Sequence, residues 1–203
     1  MKQKHWLQAT DIVPMMFFLR DKPNARKKRL FGCACCRLVW DSFTSNTCHQ
    51  AIEVAERFAD NRASSKELQD ACLRVENNGQ TNEGGDLNQA AAWVAGASAR
   101  FAMQNSAGYI LRTSQSALTL VALLRDIFGN PFRPVVVDPS WLTSDVHALA
   151  TGIYQDHAFD RMPILADALE EAGCINAHVL LHCRQQSEHV RGCWVVDLLL
   201  GKS

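Results

Sequence analysis

The sequence predicts an all-α fold, a multi-helix bundle of about nine or ten helices ending in a C-terminal helical hairpin group. Three observations predict it. Apolar residues recur at intervals of three, four and seven along nearly the whole 203-residue chain. Capping signals precede many of those stretches. Extended-chain signal is confined to one proline-rich segment, "GNPFRPVVVDPSWL".

The N-terminal "MKQKHWLQATDIVPMMFFLRDKP" joins basic residues to an apolar patch. Pro14 interrupts the patch and no small-residue cleavage site follows, so the segment reads as part of the mature fold. From Asn24 to Phe43, Leu30, Phe31, Ala34, Leu38 and Phe43 build one helical face. Asn46 or Thr47 can cap the next helix, whose stripe is Ala51, Val54, Ala55 and Phe58. Ser64 and Glu67 have the spacing of a capping box, ahead of Leu68, Cys72 and Val75. Asn77 to Asp86, "NNGQTNEGGD", has turn signals and no apolar residue, and is expected to be a flexible, disordered linker. "NQAAAWVAGASARFAMQNS" reads as one Ala-rich helix, with Ala92, Gly96 and Ala99 as a small-residue surface. Leu111 to Phe128 reads as another, stopping at Gly129 and Asn130 before Pro131.

Val135 to Val137 are expected to form a short extended run. Helices resume at Ser144 to Asp156 and at Asp160 to Glu171, where Pro163 fits the first turn and Gly173 the C-cap. Asn176 caps a short helix through Cys183, and Cys193 to Leu200 form the last. The implied organisation is an N-terminal bundle over 1–130 and a C-terminal hairpin region over 131–203, packed as one body.

Lys and Arg (21) balance Asp and Glu (21), so no global charge favours nucleic acid or membrane. The distribution is uneven. Met1 to Phe43 carries nine basic residues against Asp11, Asp21 and Asp41, whereas Asp156 to Glu171 carries five acids and only Arg161. The longest apolar run, Ala90 to Met103, is broken by Ser98 and Arg100 and falls short of the ~20 residues needed to cross a bilayer. No membrane span is expected. Eight cysteines without an export signal point to reduced thiols in the cytoplasm.

Several long motifs stand together: "RLFGCACCRLVW", "AIEVAERFAD", "LLRDIFGNPFRPV", "FDRMPILADALEEAGC" and "HCRQQSEHVRGCWVVDLLLGK". In these the chain resembles a paralogous family of helical proteins expanded in planctomycete bacteria, over nearly its whole length except the Asn77 to Asp86 region. The family implies no established biochemical activity. Its members often carry a SUKH-like label, which implies toxin-immunity or regulatory binding on a mixed α and β fold, a fold at odds with the helical spacing here. "ADALEEAGC" is also similar to a helix of short repeat-companion modules from the same bacteria.

"HCRQQSEHVRGCW", His182 to Trp194, concentrates metal-ligand residue types. A structural zinc site needs four thiolate or imidazole ligands in a tetrahedron. His182 and Cys183 are adjacent and diverge by about 100° on a helix, whereas His178 and His182 share a face. The best-spaced set is therefore Cys174, His178, His182 and either His189 or Cys193. The competing reading is architectural: buried thiols at Cys183 and Cys193, histidines bonding helix ends, Arg184 or Arg191 neutralising Asp197 or a carbonyl terminus, and Gly192 turning the chain so that Trp194 and the last helix dock.

Other constellations have the same two-sided character. Cys33 and Cys36 have C-x-x-C spacing but sit inside a helix, where with Gly32, Ala34 and Cys35 they equally permit close packing. Cys183 with His189 and Asp197, or Cys48 with His49, supply the residue types of a thiol triad. The basic residues Lys22 and Arg26 to Arg29 form either a solvated helix start or a phosphate-contacting patch. Arg125, Asp126 and Arg133 read as an ion-pair latch, and Trp141 as a core plug. No phosphate loop, nucleophile elbow or H-E-x-x-H motif is present. The expectation is a non-enzymatic, cytoplasmic protein-binding or regulatory module; the alternative is a zinc-stabilised helical module contacting nucleic acid through its basic N-terminal helix.

Overall fold

The computed structural model of the chain describes residues 1–79, 85–112 and 116–202, with the helical backbone alone at 78–79 and 85–86. Among the described residues there are twelve α-helices, ten of them of seven residues or more, and no strand. The chain divides into two compact units, Met1–Leu124 and Arg125–Ser203. The division falls inside a helix, a few residues before the boundary at 130 that the sequence suggests.

The first unit holds α1 (Gln3–Gln8), α2 (Val13–Leu19), α3 (Ala25–Arg37), α4 (Asn46–Ala59), α5 (Ser65–Gly79), α6 (Gly85–Ala95), α7 (Ala99–Ile110) and most of α8 (Ala117–Phe128). Its centre is α3. Every residue from Lys28 to Cys36 is buried, because α3 packs on α4, α6 and α7. At Gly32 the approach is closest: a Cβ there would lie 2.7 Å from the Ala102 carbonyl oxygen and 3.0 Å from Val94 Cγ1. Trp6, Ile12 and Met15 bring α1 and the start of α2 into the buried core.

Local signals set most of the helix starts. Ser64 and Glu67 cap each other's amides at 2.8 and 3.2 Å, the reciprocal bonds of a capping box. Ser45, rather than Asn46 or Thr47, is the N-cap of α4, accepting the Thr47 N–H. The Ala-rich stretch is two helices, not one. Ser98 accepts the Phe101 N–H and starts α7, while Arg29 donates to the carbonyls of Val94, Gly96 and Ala97 and ends α6. A side chain that satisfies three end carbonyls makes the break stable. Likewise α7 ends at Ile110 and α8 starts only at Ala117, so Leu111 does not begin a helix. Helix at 77–79 and 85–86 shortens the expected linker at both ends; its middle, and the disorder expected there, lie outside the described residues.

The second unit packs α9 (Ser144–Asp156), α10 (Met162–Glu171), α11 (Ala177–Arg184) and α12 (Trp194–Leu199) around Ile153, Leu165, Leu169, Val179, Cys183 and Val196, with Trp141 closing the core. Val135 and Val137 pack against this core while Val136 is 84% exposed. The run alternates as an extended chain does, without pairing into a strand. Pro163 sits in the first turn of α10, Gly173 follows that helix with φ +85°, and Asn176 caps α11. Gly192 turns the chain with φ +94°, and Trp194 lies across Gly129, where a Cβ would meet its ring at 3.0 Å. Among the described residues no helix is long and apolar enough to cross a membrane.

Candidate functional site

A buried polar cluster forms in the second unit from three separate stretches of chain. Asp126 stands in the last turn of α8, His182 near the C-terminus of α11, His189 in the connection that follows, and Cys193 at the N-cap of α12. One carboxylate oxygen of Asp126, Oδ2, accepts the Val190 N–H at 3.0 Å. The other, Oδ1, lies 2.6 Å from His189 Nδ1 and 3.1 Å from His182 Nε2. Cys193 Sγ lies 3.2 Å from His182 Nε2 and 3.9 Å from His189 Nδ1. The atoms that the four residues offer all fall within 4.8 Å of one another. The side chains of Asp126, His189 and His182 are 1, 4 and 9% exposed, and Cys193 is wholly buried.

Burial opposes charge on these groups. Desolvation would raise the Asp126 carboxyl, but hydrogen bonds from His182 and His189 outweigh it and hold the group below the ordinary carboxylate range. Desolvation drives His182 toward its neutral form against the pull of Asp126. The Cys193 thiol is pushed well above its ordinary value by burial first and by the Asp126 charge second. The outer side of the cluster is polar: the Gln185 amide sits 3.1 Å from His182 Nδ1. A cleft of about 380 Å³ lined by Phe159, Pro163, Gln185, Glu188 and His189, among others, lies beside it.

Three of the five ligands expected from sequence, His182, His189 and Cys193, are therefore together. Cys174 and His178 are not part of the group. Cys174 packs into the core just beyond α10, and His178 is exposed in the first turn of α11, one turn back from His182. Asp126 was expected in an ion-pair latch; instead both of its oxygens serve the cluster. It lies far from the Cys/His stretch in sequence, and its one signal is an acid at the spacing of the apolar stripe Leu120, Leu123 and Ile127.

The thiol constellations take other roles. All eight cysteines are free, and seven are buried. Burial pushes Cys183 up to about 12 and raises Cys33, Cys35 and Cys36 as well, the opposite of an activated nucleophile. His189 bonds Asp126, while Cys48 donates to Asn88 Oδ1 at 3.1 Å and His49 packs on Trp40. Nor is the basic run a solvated helix start. Lys28 and Arg29 are buried and donate to backbone carbonyls, and Arg26 pairs with Asp60 at 3.0 Å. Arg184 pairs with Asp167 and Glu170, and Arg191 donates to the Tyr154 carbonyl.

A second feature stands in the first unit. Met1, His5, Val13, Pro14, Phe17 and Phe18 line an open cleft of about 840 Å³ between α1 and α2. Phe17 is 63% and Val13 56% exposed. Arg20, paired with Asp21 at 3.0 Å, lies over the Phe17 ring at 4.2 Å, and Lys22 lies over Phe18 at 5.1 Å. No family model, no curated protein and no solved structure matches the chain, so the family resemblance rests on its motifs alone.

Proposed function

We propose that the chain is a non-enzymatic protein-binding or regulatory module that takes its partner in the cleft between α1 and α2. The observation that carries this reading is the exposure of Phe17 and Val13 in one apolar concavity. Large apolar side chains left to water in a recess are the mark of a docking site. Apolar walls with Lys22 over Phe18 suit a partner segment that offers apolar anchors on one face, as an amphipathic helix does. The high thiol pKa values weigh in the same direction, against nucleophilic catalysis.

A photo-crosslinking residue placed at Phe17 in the full chain, with a control at exposed Ile175, tests this in cells of the source organism. The expected result is one protein captured at position 17 and not at 175, whose purified form binds the chain and loses at least about tenfold in affinity with Phe17→Asp. Equal labelling at both positions removes the cleft from consideration. A second reading, a zinc-stabilised helical module, is favoured by the convergence of Asp126, His182, His189 and Cys193. Its companion idea of nucleic-acid contact through the basic N-terminal helix has less support, because Lys28 and Arg29 are spent inside the fold.

A further inference from the structure

We propose that Asp126, His182, His189 and Cys193 form a closed, four-coordinate structural zinc site. The inference rests on the zinc-stabilised reading and is independent of the α1–α2 cleft.

Four of the six edges of the ligand set can be compared with those of a tetrahedron, and the other two lie within 4.8 Å. Ligands at about 2.0–2.1 Å for nitrogen and oxygen and about 2.3 Å for sulfur give N···O edges near 3.3 Å and N···S edges near 3.6 Å. The corresponding separations are 2.6 and 3.1 Å for N···O and 3.2 and 3.9 Å for N···S. Three of the four lie within a few tenths of an ångström of the ideal edges. The 2.6 Å contact is shorter than the ideal edge and has to widen by about 0.7 Å when the metal binds.

Charge argues the same way. Among the described residues no Lys or Arg pairs with the buried Asp126 carboxylate, whose partners are two imidazoles and the Val190 N–H. Zinc with the Asp126 carboxylate, a Cys193 thiolate and two neutral imidazoles sums to zero. Binding displaces the Cys193 proton to solvent, and each imidazole keeps its one hydrogen on the nitrogen away from the metal. At His182 that nitrogen is Nδ1, which faces the Gln185 amide; turned over, the amide offers its oxygen as acceptor. Four protein ligands leave no open position, which marks a structural rather than a catalytic site, and the mixed imidazole, thiolate and carboxylate set suits zinc over magnesium or calcium.

The test is to titrate the full chain, purified without a polyhistidine tag, first with Co²⁺ and then with Zn²⁺. The expected result is a tetrahedral cobalt spectrum with thiolate charge transfer, displaced by about one equivalent of zinc. Cys193→Ser should abolish the charge-transfer band, and Asp126→Asn should weaken zinc more than about 100-fold. Gln185→Ala, at an exposed position, should weaken it about 10- to 100-fold with an unchanged circular dichroism spectrum, which keeps the test decisive where the buried variants fail to fold. Cys174→Ser and His178→Gln should leave affinity unchanged. A folded wild-type chain that takes up neither metal overturns both this site and the zinc-stabilised reading. Stoichiometric zinc lost with Cys174→Ser or His178→Gln but kept by Asp126→Asn overturns this ligand set alone.

Discussion

Gly32 has no room for a side chain, since its backbone meets the Ala102 carbonyl where α3 crosses α7. A methyl at 2.7 Å from a backbone oxygen forces the helices apart, so Gly32→Ala should cost about 1–3 kcal/mol. Urea unfolding checks this: a lower midpoint at unchanged slope is expected, and an unchanged midpoint refutes the close approach. The sequence supports the idea of small residues packing tightly on this helix, because Gly32, Ala34 and the cysteines are adjacent. The same scale shows where such reading fails. Asp126 carries one local sign, an acid on an apolar stripe, but its partners lie more than fifty residues onward and only the fold brings them to it. Cys174 and His178 have the spacing of ligands, yet α11 presents His178 to solvent and the core takes Cys174.

Helix ends follow the same division between local and distant causes. The Ser64–Glu67 box and the Asn176 cap are written within four residues and are legible in sequence. The end of α6 is not, because the guanidinium that caps it comes from Arg29, 65 residues before Val94. Arg29→Met removes bonds to three carbonyls and should lower stability by about 2–4 kcal/mol, read again as a urea midpoint. The capping box makes a pH-dependent prediction. Bonds from the Ser64 amide and hydroxyl hold the Glu67 carboxyl below its ordinary value. A carboxyl depressed in the folded state stabilises above its unfolded pKa of about 4.3, and that contribution is lost as pH falls through the folded value. Wild type should therefore exceed Glu67→Gln in thermal midpoint at pH 7, the gap closing below about pH 4. A gap that persists at pH 3 shows that the charge plays no part in the cap.

At the scale of the molecule, periodicity sufficed for the all-helical class, because an apolar stripe must be buried wherever the chain places it. The break after Phe128 suggests a division near 130, whereas the units part at Leu124 and Arg125, inside α8, whose Asp126 turns to His182, His189 and Val190 of the second unit. If zinc sits among those groups, it joins the last turn of α8 to α11 and α12, and a ligand bound only by the folded form adds about 2.7 kcal/mol at a hundredfold excess over its dissociation constant. Chelation should therefore act on one unit alone. Hydrogen exchange followed by mass spectrometry, with and without a zinc chelator, is expected to show faster exchange in peptides from Arg125 onward, strongest from Arg184 to Leu199, and no change from Met1 to Ile110. Trp141 and Trp194 report the same unit, so near-ultraviolet dichroism of Trp6→Phe, Trp40→Phe, Trp93→Phe protein should fall on chelation. Equal loss of protection across both units would place the metal's contribution elsewhere, and unchanged protection everywhere would deny it any stabilising role.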